Sequence, residues 1–150
     1  MSFAIDVNIL LYASDQESPF APRAQEFLSH LPSKREPVCI AWSTIMAYLR
    51  IATHGAIFAR PLSPEEAMSN IDALLRLPQV RVLSEDEGFW EVYREVAAEV
   101  PACGNRVPDA HLAALLRQHG VNILYTNDRD FRKYDFLKVR NPFEHGRHGD

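Results

Sequence analysis

The chain has 150 residues, 47% apolar and 24% charged, the proportions of one soluble globular domain large enough to bury a core without staples. Two cysteines, Cys39 and Cys103, exclude a disulfide scaffold or a zinc cluster, and no stretch approaches the ~18 apolar residues that span a bilayer. The net charge of −4 is uneven: residues 1–100 carry 8 Lys/Arg against 14 Asp/Glu and residues 101–150 carry 8 against 6, so a polyanionic ligand is not excluded.

Phe3-Ala4-Ile5-Asp6 reads as a short buried strand ending on a carboxylate, with no cationic leader before it. With both cysteines read as reduced thiols, a cytoplasmic protein is expected. A helical turn starts at Ile9, and Phe20, Ala24, Phe27, Leu28 and Leu31 recur at helical spacing until Pro32. Pro37 to Ile40 predicts a second strand, and an apolar helix follows from Trp42 to Thr53. Ser63, Pro64 and Glu66 form a capping box before Ala67, Ile71, Leu74 and Leu75. After a third strand at Val80–Leu83, Ser84 and Glu87 predict a second capping box. It would open a helix that carries the acidic run Glu85, Asp86, Glu87, Glu91, Glu95 and Glu99.

Gly104 to Pro108 predicts a loop, and the next helix runs to a stop at Gly120. Val121–Thr126 predicts a fourth strand, Leu137–Arg140 a fifth, and residues 144–150 a flexible tail. Strands alternate with helices and no hairpin turn joins a strand pair, so the expected class is α/β with a mainly parallel central sheet.

In such a sheet, ligands bind beyond the carboxyl ends of the strands. Asp6 follows strand one, Asp128 follows strand four, and Asp109 opens the helix between them. Asp6 interrupts a buried apolar segment, and an uncompensated buried carboxylate costs several kcal/mol, on the order of the penalty for other buried ions. Three carboxylates without a matching lysine suit an oxygen-ligand site for Mg²⁺ or Mn²⁺.

Four segments then fix a resemblance: Ile5-Asp6-Val7-Asn8-Ile9-Leu10-Leu11-Tyr12, Tyr48-Leu49-Arg50-Ile51-Ala52-Thr53, Asn105 to Ala114, and Tyr125-Thr126-Asn127-Asp128-Arg129-Asp130-Phe131, with Asn141-Pro142-Phe143 closing the series. In that order and spacing the chain resembles the PIN-domain ribonucleases, in particular the VapC toxins of bacterial toxin–antitoxin pairs, over residues 3 to 143. The resemblance implies a three-layer α/β/α domain over residues 1–143. It implies a Mg²⁺- or Mn²⁺-dependent endoribonuclease that cuts RNA with a metal-activated water, inhibits translation and is neutralised by a small VapB-like antitoxin, with a homodimer as the expected assembly.

Asp6, Asp109 and Asp128 match the family's acidic positions and are expected to be both catalytic and metal-binding. Asn8, Thr126 and Asn127 match polar positions around them, and Arg50, Arg106 and Arg129 are candidates for gripping the RNA backbone. The apolar residues from Phe20 to Leu31 and Ile45 to Leu49 are a candidate dock for the partner or a second copy. One departure stands out: Ala47 falls where the family places a glutamate, and no carboxylate occurs between Glu36 and Glu65. That gap motivates a second reading, a PIN-fold module that binds RNA or a protein without cutting. An aspartyl-nucleophile phosphatase is disfavoured, because its second acid would fall at Asn8.

Overall fold

The computed structural model describes residues 1–144, so most of the predicted tail lies outside the described residues. The opening apolar triplet forms β1 (Phe3–Ile5), buried at every position, and β2 (Val38–Ala41) is buried throughout as well. Continuous burial of this kind marks central strands of a parallel sheet covered on both faces. With β3 (Val80–Leu83), β4 (Ile123–Tyr125) and β5 (Lys138–Arg140) they form one five-stranded sheet in the order β3-β2-β1-β4-β5. Every pairing is parallel, with Ala4 opposite Cys39 on one side and Leu124 on the other.

Alternation along the strands sorts side chains into two cores. Phe3, Ile5, Val38, Ile40 and Ile123 face one cluster together with Ile9, Leu10, Ile45, Tyr48 and Ile71. These come from α1 (Val7–Ser14), α3 (Trp42–Ala52) and α4 (Pro64–Leu75), with α2 (Ala21–Ser29) adding Ala24. Ala4, Cys39, Ala41 and Leu124 face the second cluster with Val96, Leu112, Leu115 and Leu116, supplied by α5 (Phe89–Glu99) and α6 (Val107–Gln118). Ala110, Ala113 and Ala114 are all fully buried, so α6 meets this small-residue face of the sheet with small residues of its own. The result is the expected three-layer α/β/α arrangement.

The Ser63–Glu66 capping box forms as expected: the Ser63 hydroxyl accepts from the Glu66 N–H at 3.1 Å and the Glu66 carboxylate accepts from the Ser63 N–H at 3.2 Å. Gly120 ends α6 at φ +69°, where a side chain would be strained. The capping box expected at Ser84 does not form. Residues 84–88 are held by the far end of α6 instead, where Gln118 accepts from the Asp86 N–H at 3.0 Å and His119 bonds the Ser84 carbonyl at 2.7 Å. Consequently α5 starts only at Phe89, after Gly88 at φ +83°, and Glu85, Asp86 and Glu87 lie in the loop.

The expected docking residues are mostly core: Leu31 and Ile45 are 1% exposed, while Trp42 and Met46, on the outer side of α3, are 47% and 53% exposed. No helix among the described residues is long and apolar enough to cross a membrane.

Candidate active site

The strand order reverses direction at β1: the chain goes outward through β2 and β3, then returns to lay β4 on the other side. A crevice opens at such a switch point beyond the carboxyl ends of the two strands. Asp6 leaves β1 there and Thr126, Asn127 and Asp128 leave β4.

Asp6 caps α1, its Oδ1 accepting from the Val7 N–H at 2.8 Å. Its Oδ2 accepts from the Thr126 hydroxyl at 2.7 Å and from the Asn8 amide at 3.2 Å. Thr126 is itself buried, and its oxygen accepts in turn from the Asn8 amide at 2.9 Å and from the Asp128 N–H at 3.0 Å. The compensation expected for a buried carboxylate is therefore supplied in part by hydrogen bonds. Burial still pushes the Asp6 carboxyl above its ordinary range, against the pull of the Thr126 and Val7 bonds, and Asp128 adds to the rise.

Asp109, in the first turn of α6, is raised to about 6: partial burial contributes most, then the charges of Asp128 and Asp6, while Arg106 offsets some of the rise. The three aspartates thus sense one another across the crevice, although they come from three separate elements. Asp128 caps the 3₁₀ turn Arg129–Lys133, its Oδ1 accepting from the Asp130 N–H at 2.9 Å.

Mutually repelling carboxylates are hard oxygen donors that suit a divalent cation. Among the described residues no three His, Cys, Asp or Glu side chains form a ready-made ligand cage. Mg²⁺ does not require one, because it commonly binds through one or two carboxylates and keeps several of its waters. The Oδ1 of Asp6, with one hydrogen bond, retains an acceptor site. The donor set therefore fits a hydrated divalent ion, and α3 adds no carboxylate to it: Ala47 is half-buried and the adjoining Tyr48 hydroxyl is bonded to Ser14 and Asn70.

Of the remaining sequence candidates, Asn8 is committed inside the protein. Its amide donates to Asp6 and Thr126, and its Oδ1 accepts from the Asn127 N–H at 3.2 Å. The Asn127 side chain bonds the Tyr12 hydroxyl at 3.3 Å and accepts from Asn141 at 2.7 Å. Arg106 is ion-paired with Asp130, and Arg129 approaches Glu144 at 4.0 Å. Arg50 is exposed in the last turn of α3, about 12 Å along the helix from its start at the rim by the ~1.5 Å rise per residue, and touches none of the three aspartates among the described residues.

Sequence reasoning gave no role to Tyr12 and Asn141 and read Asp130 as a helix cap, yet all three shape the site. Tyr12 and Asn141 anchor Asn127, and Asp130 occupies Arg106. Their signal was the family-like segments themselves, in which all three stand.

The PIN domain family profile matches residues 3–137. Ribonuclease VapC48 of Mycobacterium tuberculosis is 41% identical over 143 residues, covering 95% of this chain and 99% of the relative. The fold is similar to that of VapBC2 from Rickettsia felis bound to a DNA fragment from its promoter, with a TM-score of 0.67, 18% identity and coverage of 94% and 98%. It is also similar to VapC20 of Mycobacterium tuberculosis, described as a Sarcin-Ricin loop cleaving toxin, with a TM-score of 0.66, 19% identity and coverage of 92% and 98%. With a family profile spanning nearly all of the chain and a full-length ribonuclease relative, the chain belongs to the PIN-domain family, among the VapC ribonucleases.

Proposed function

We propose that this chain is a VapC-type endoribonuclease that hydrolyses RNA phosphodiester bonds with Mg²⁺ or Mn²⁺ held by Asp6, Asp109 and Asp128. The observation that carries the reading is the placement of three carboxylates at the rim of the crevice between β1 and β4, where burial first, and then the charges of Asp128 and Asp6, raise Asp109 to about 6. A bound divalent ion supplies charge neutralisation at the phosphate and an activated water. Asp6 is the central holder, fixed at both oxygens by Val7, Thr126 and Asn8. Asp109 and Asp128 complete the ligand set directly or through water. Asn8 and Thr126 orient Asp6 from within the protein, and Arg106 and Arg129 face the RNA backbone from the rim.

The relatives that are VapBC assemblies support a small VapB-like antitoxin as the physiological partner, with inhibition of translation as the outcome of its release. The exposed Trp42 and Met46 on α3 are available for that contact or for a homodimer. The cytoplasm, where RNA and a reducing environment coincide, is the proposed compartment.

Purified, partner-free protein incubated with total cellular RNA tests the reading. Discrete fragments with Mn²⁺ or Mg²⁺ and none with EDTA are expected, and mapping the fragment ends identifies the target. RNA left intact under both metals, with no metal binding by calorimetry, overturns it in favour of a module that binds without cutting.

A further inference from the structure

The 3₁₀ turn after Asp128 carries more positive charge than the site chemistry uses. Phe131 and Tyr134, 1% and 4% exposed, anchor this segment inward, three residues apart. In a 3₁₀ turn residues three apart eclipse one another, so Arg129 and Arg132 share the outer side. Both reach for Glu144, at 4.0 and 3.5 Å. Lys133 lies 3.7 Å from Asp130, and the same Asp130 is paired with Arg106 across from the start of α6. Four cations are therefore shared between two acids, an excess of two positive charges beside Asp128. Arg106, Arg129, Arg132 and Lys133 are four of the 8 Lys/Arg in residues 101–150; Arg117, Lys138, Arg140 and Arg147 lie elsewhere in the sequence.

Each of these ion pairs is exposed, with side-chain accessibilities from 42% to 79%. Exposed pairs hold weakly and exchange partners readily. Phosphate is the stronger partner for arginine, since the planar guanidinium matches it in a bidentate way. The turn is also tied directly to the catalytic rim, because Asp128 accepts from the Asp130 N–H and Arg106 stands three residues before Asp109.

We propose that Arg106, Arg129, Arg132 and Lys133 form a lip that binds the RNA backbone on one side of the scissile phosphate, with Asp130 and Glu144 as anionic place-holders that the phosphates displace. The inference rests on the ribonuclease reading for the identity of the polyanion and extends it with a path for the strand. Arg132 and Lys133 become substrate-binding residues, and the two acids tune affinity with the opposite sign. RNA leaving the crevice past Asp128 meets Arg129 and Arg132 on one face of the turn, while Arg106, from the start of α6, and Lys133, from the turn itself, meet at Asp130.

Binding of a short, fluorescently labelled, mixed-sequence single-stranded RNA in EDTA, titrated over a range of salt, tests the lip without any cleavage. Replacing Arg129 and Arg132 together by alanine is expected to weaken binding about tenfold at moderate salt and to flatten the log–log salt slope by about 1.4, the share of two phosphate contacts. Asp130→Asn and Glu144→Gln are each expected to tighten binding, an effect that damage to the fold does not produce. Thermal melts of all variants are expected to stay close to the wild type. Unchanged affinity and slope in the double-alanine variant, or weaker binding in the two neutralised variants, overturns the lip. Cleavage with Mn²⁺ is scored separately: RNA bound through the lip but never cut overturns the ribonuclease reading alone, whereas cutting with no dependence on these cations overturns the lip alone.

Discussion

The Thr126 hydroxyl donates to Asp6 Oδ2 at 2.7 Å across 120 positions of chain, joining the carboxyl ends of β1 and β4 at the crevice. The same oxygen accepts from Asn8 and from the Asp128 N–H, so one buried hydroxyl sets the geometry of two of the three aspartates.

Thr126→Val removes that hydroxyl while keeping the side chain's shape. The Asp128 N–H loses its acceptor and Asp6 loses the bond that most opposes the effect of burial. Urea unfolding is expected to show a loss of roughly 1–3 kcal/mol, the cost of stranding buried polar groups. The acid limb of the cleavage profile is expected to move to higher pH, since the Asp6 carboxyl rises further. Thr126→Ser keeps the hydroxyl and is expected to restore the pH profile. A valine variant with an unaltered acid limb would remove Thr126 from this role.

Asp109 gives a pH prediction whose sign is fixed. Its folded-state value of about 6 lies above the ordinary 3.8, so the folded protein binds the proton more tightly than the unfolded chain does. This group therefore stabilises the fold least at neutral pH, and its unfavourable contribution disappears as pH falls through about 6 toward 4. In EDTA, Asp109→Asn is expected to be more stable than the wild type at pH above 7, by about 1 kcal/mol once solvent screening of this half-buried group is discounted. The difference is expected to shrink as the solution is acidified. Thermal melts across that range check it, and a variant less stable than the wild type at neutral pH contradicts it. With metal present, cleavage by the wild type is expected to fall as pH drops through the same region, because the protonated acid is a poor ligand.

Asn141 acts from the end of the described chain. Its amide donates to Asn127 Oδ1 at 2.7 Å, and its Oδ1 accepts from the Phe143 N–H at 2.8 Å. Asn127 in turn holds Asn8 through its backbone N–H. Asn141→Ala is expected to lower kcat several-fold with little change in KM, because it loosens the support of Asp6 without touching RNA. The stability loss is expected near 1 kcal/mol for each neutral hydrogen bond removed. A change confined to KM contradicts this role.

How much could be read from the chain itself divides along the range of the interactions. Local signals were legible: the apolar triplet before Asp6, the Ser63–Glu66 box and the Gly120 stop each act within a few residues. The Ser84–Glu87 box was misleading because Gln118 and His119, more than 30 positions away, hold the Asp86 N–H and the Ser84 carbonyl of the same segment in another arrangement. Asp6, Asp109 and Asp128 were legible as acids at the ends of elements. Their support was not, because Asn8 is engaged by groups 118 and 119 positions distant. The matching of alanines on α6 to small residues on β1 and β2 likewise becomes visible only when the two faces of the sheet are separated.

The most direct test compares wild type and Asp6→Asn for RNA cleavage at neutral pH with Mn²⁺, Mg²⁺ or EDTA. The amide preserves volume and removes the central charge, so the variant is expected to fold, to bind Mn²⁺ far more weakly and to cut at least ~100-fold more slowly, the scale of losing a metal-assisted step. Cleavage by Asp6→Asn at the wild-type rate, with metal still required, would place the chemistry somewhere other than the crevice between β1 and β4.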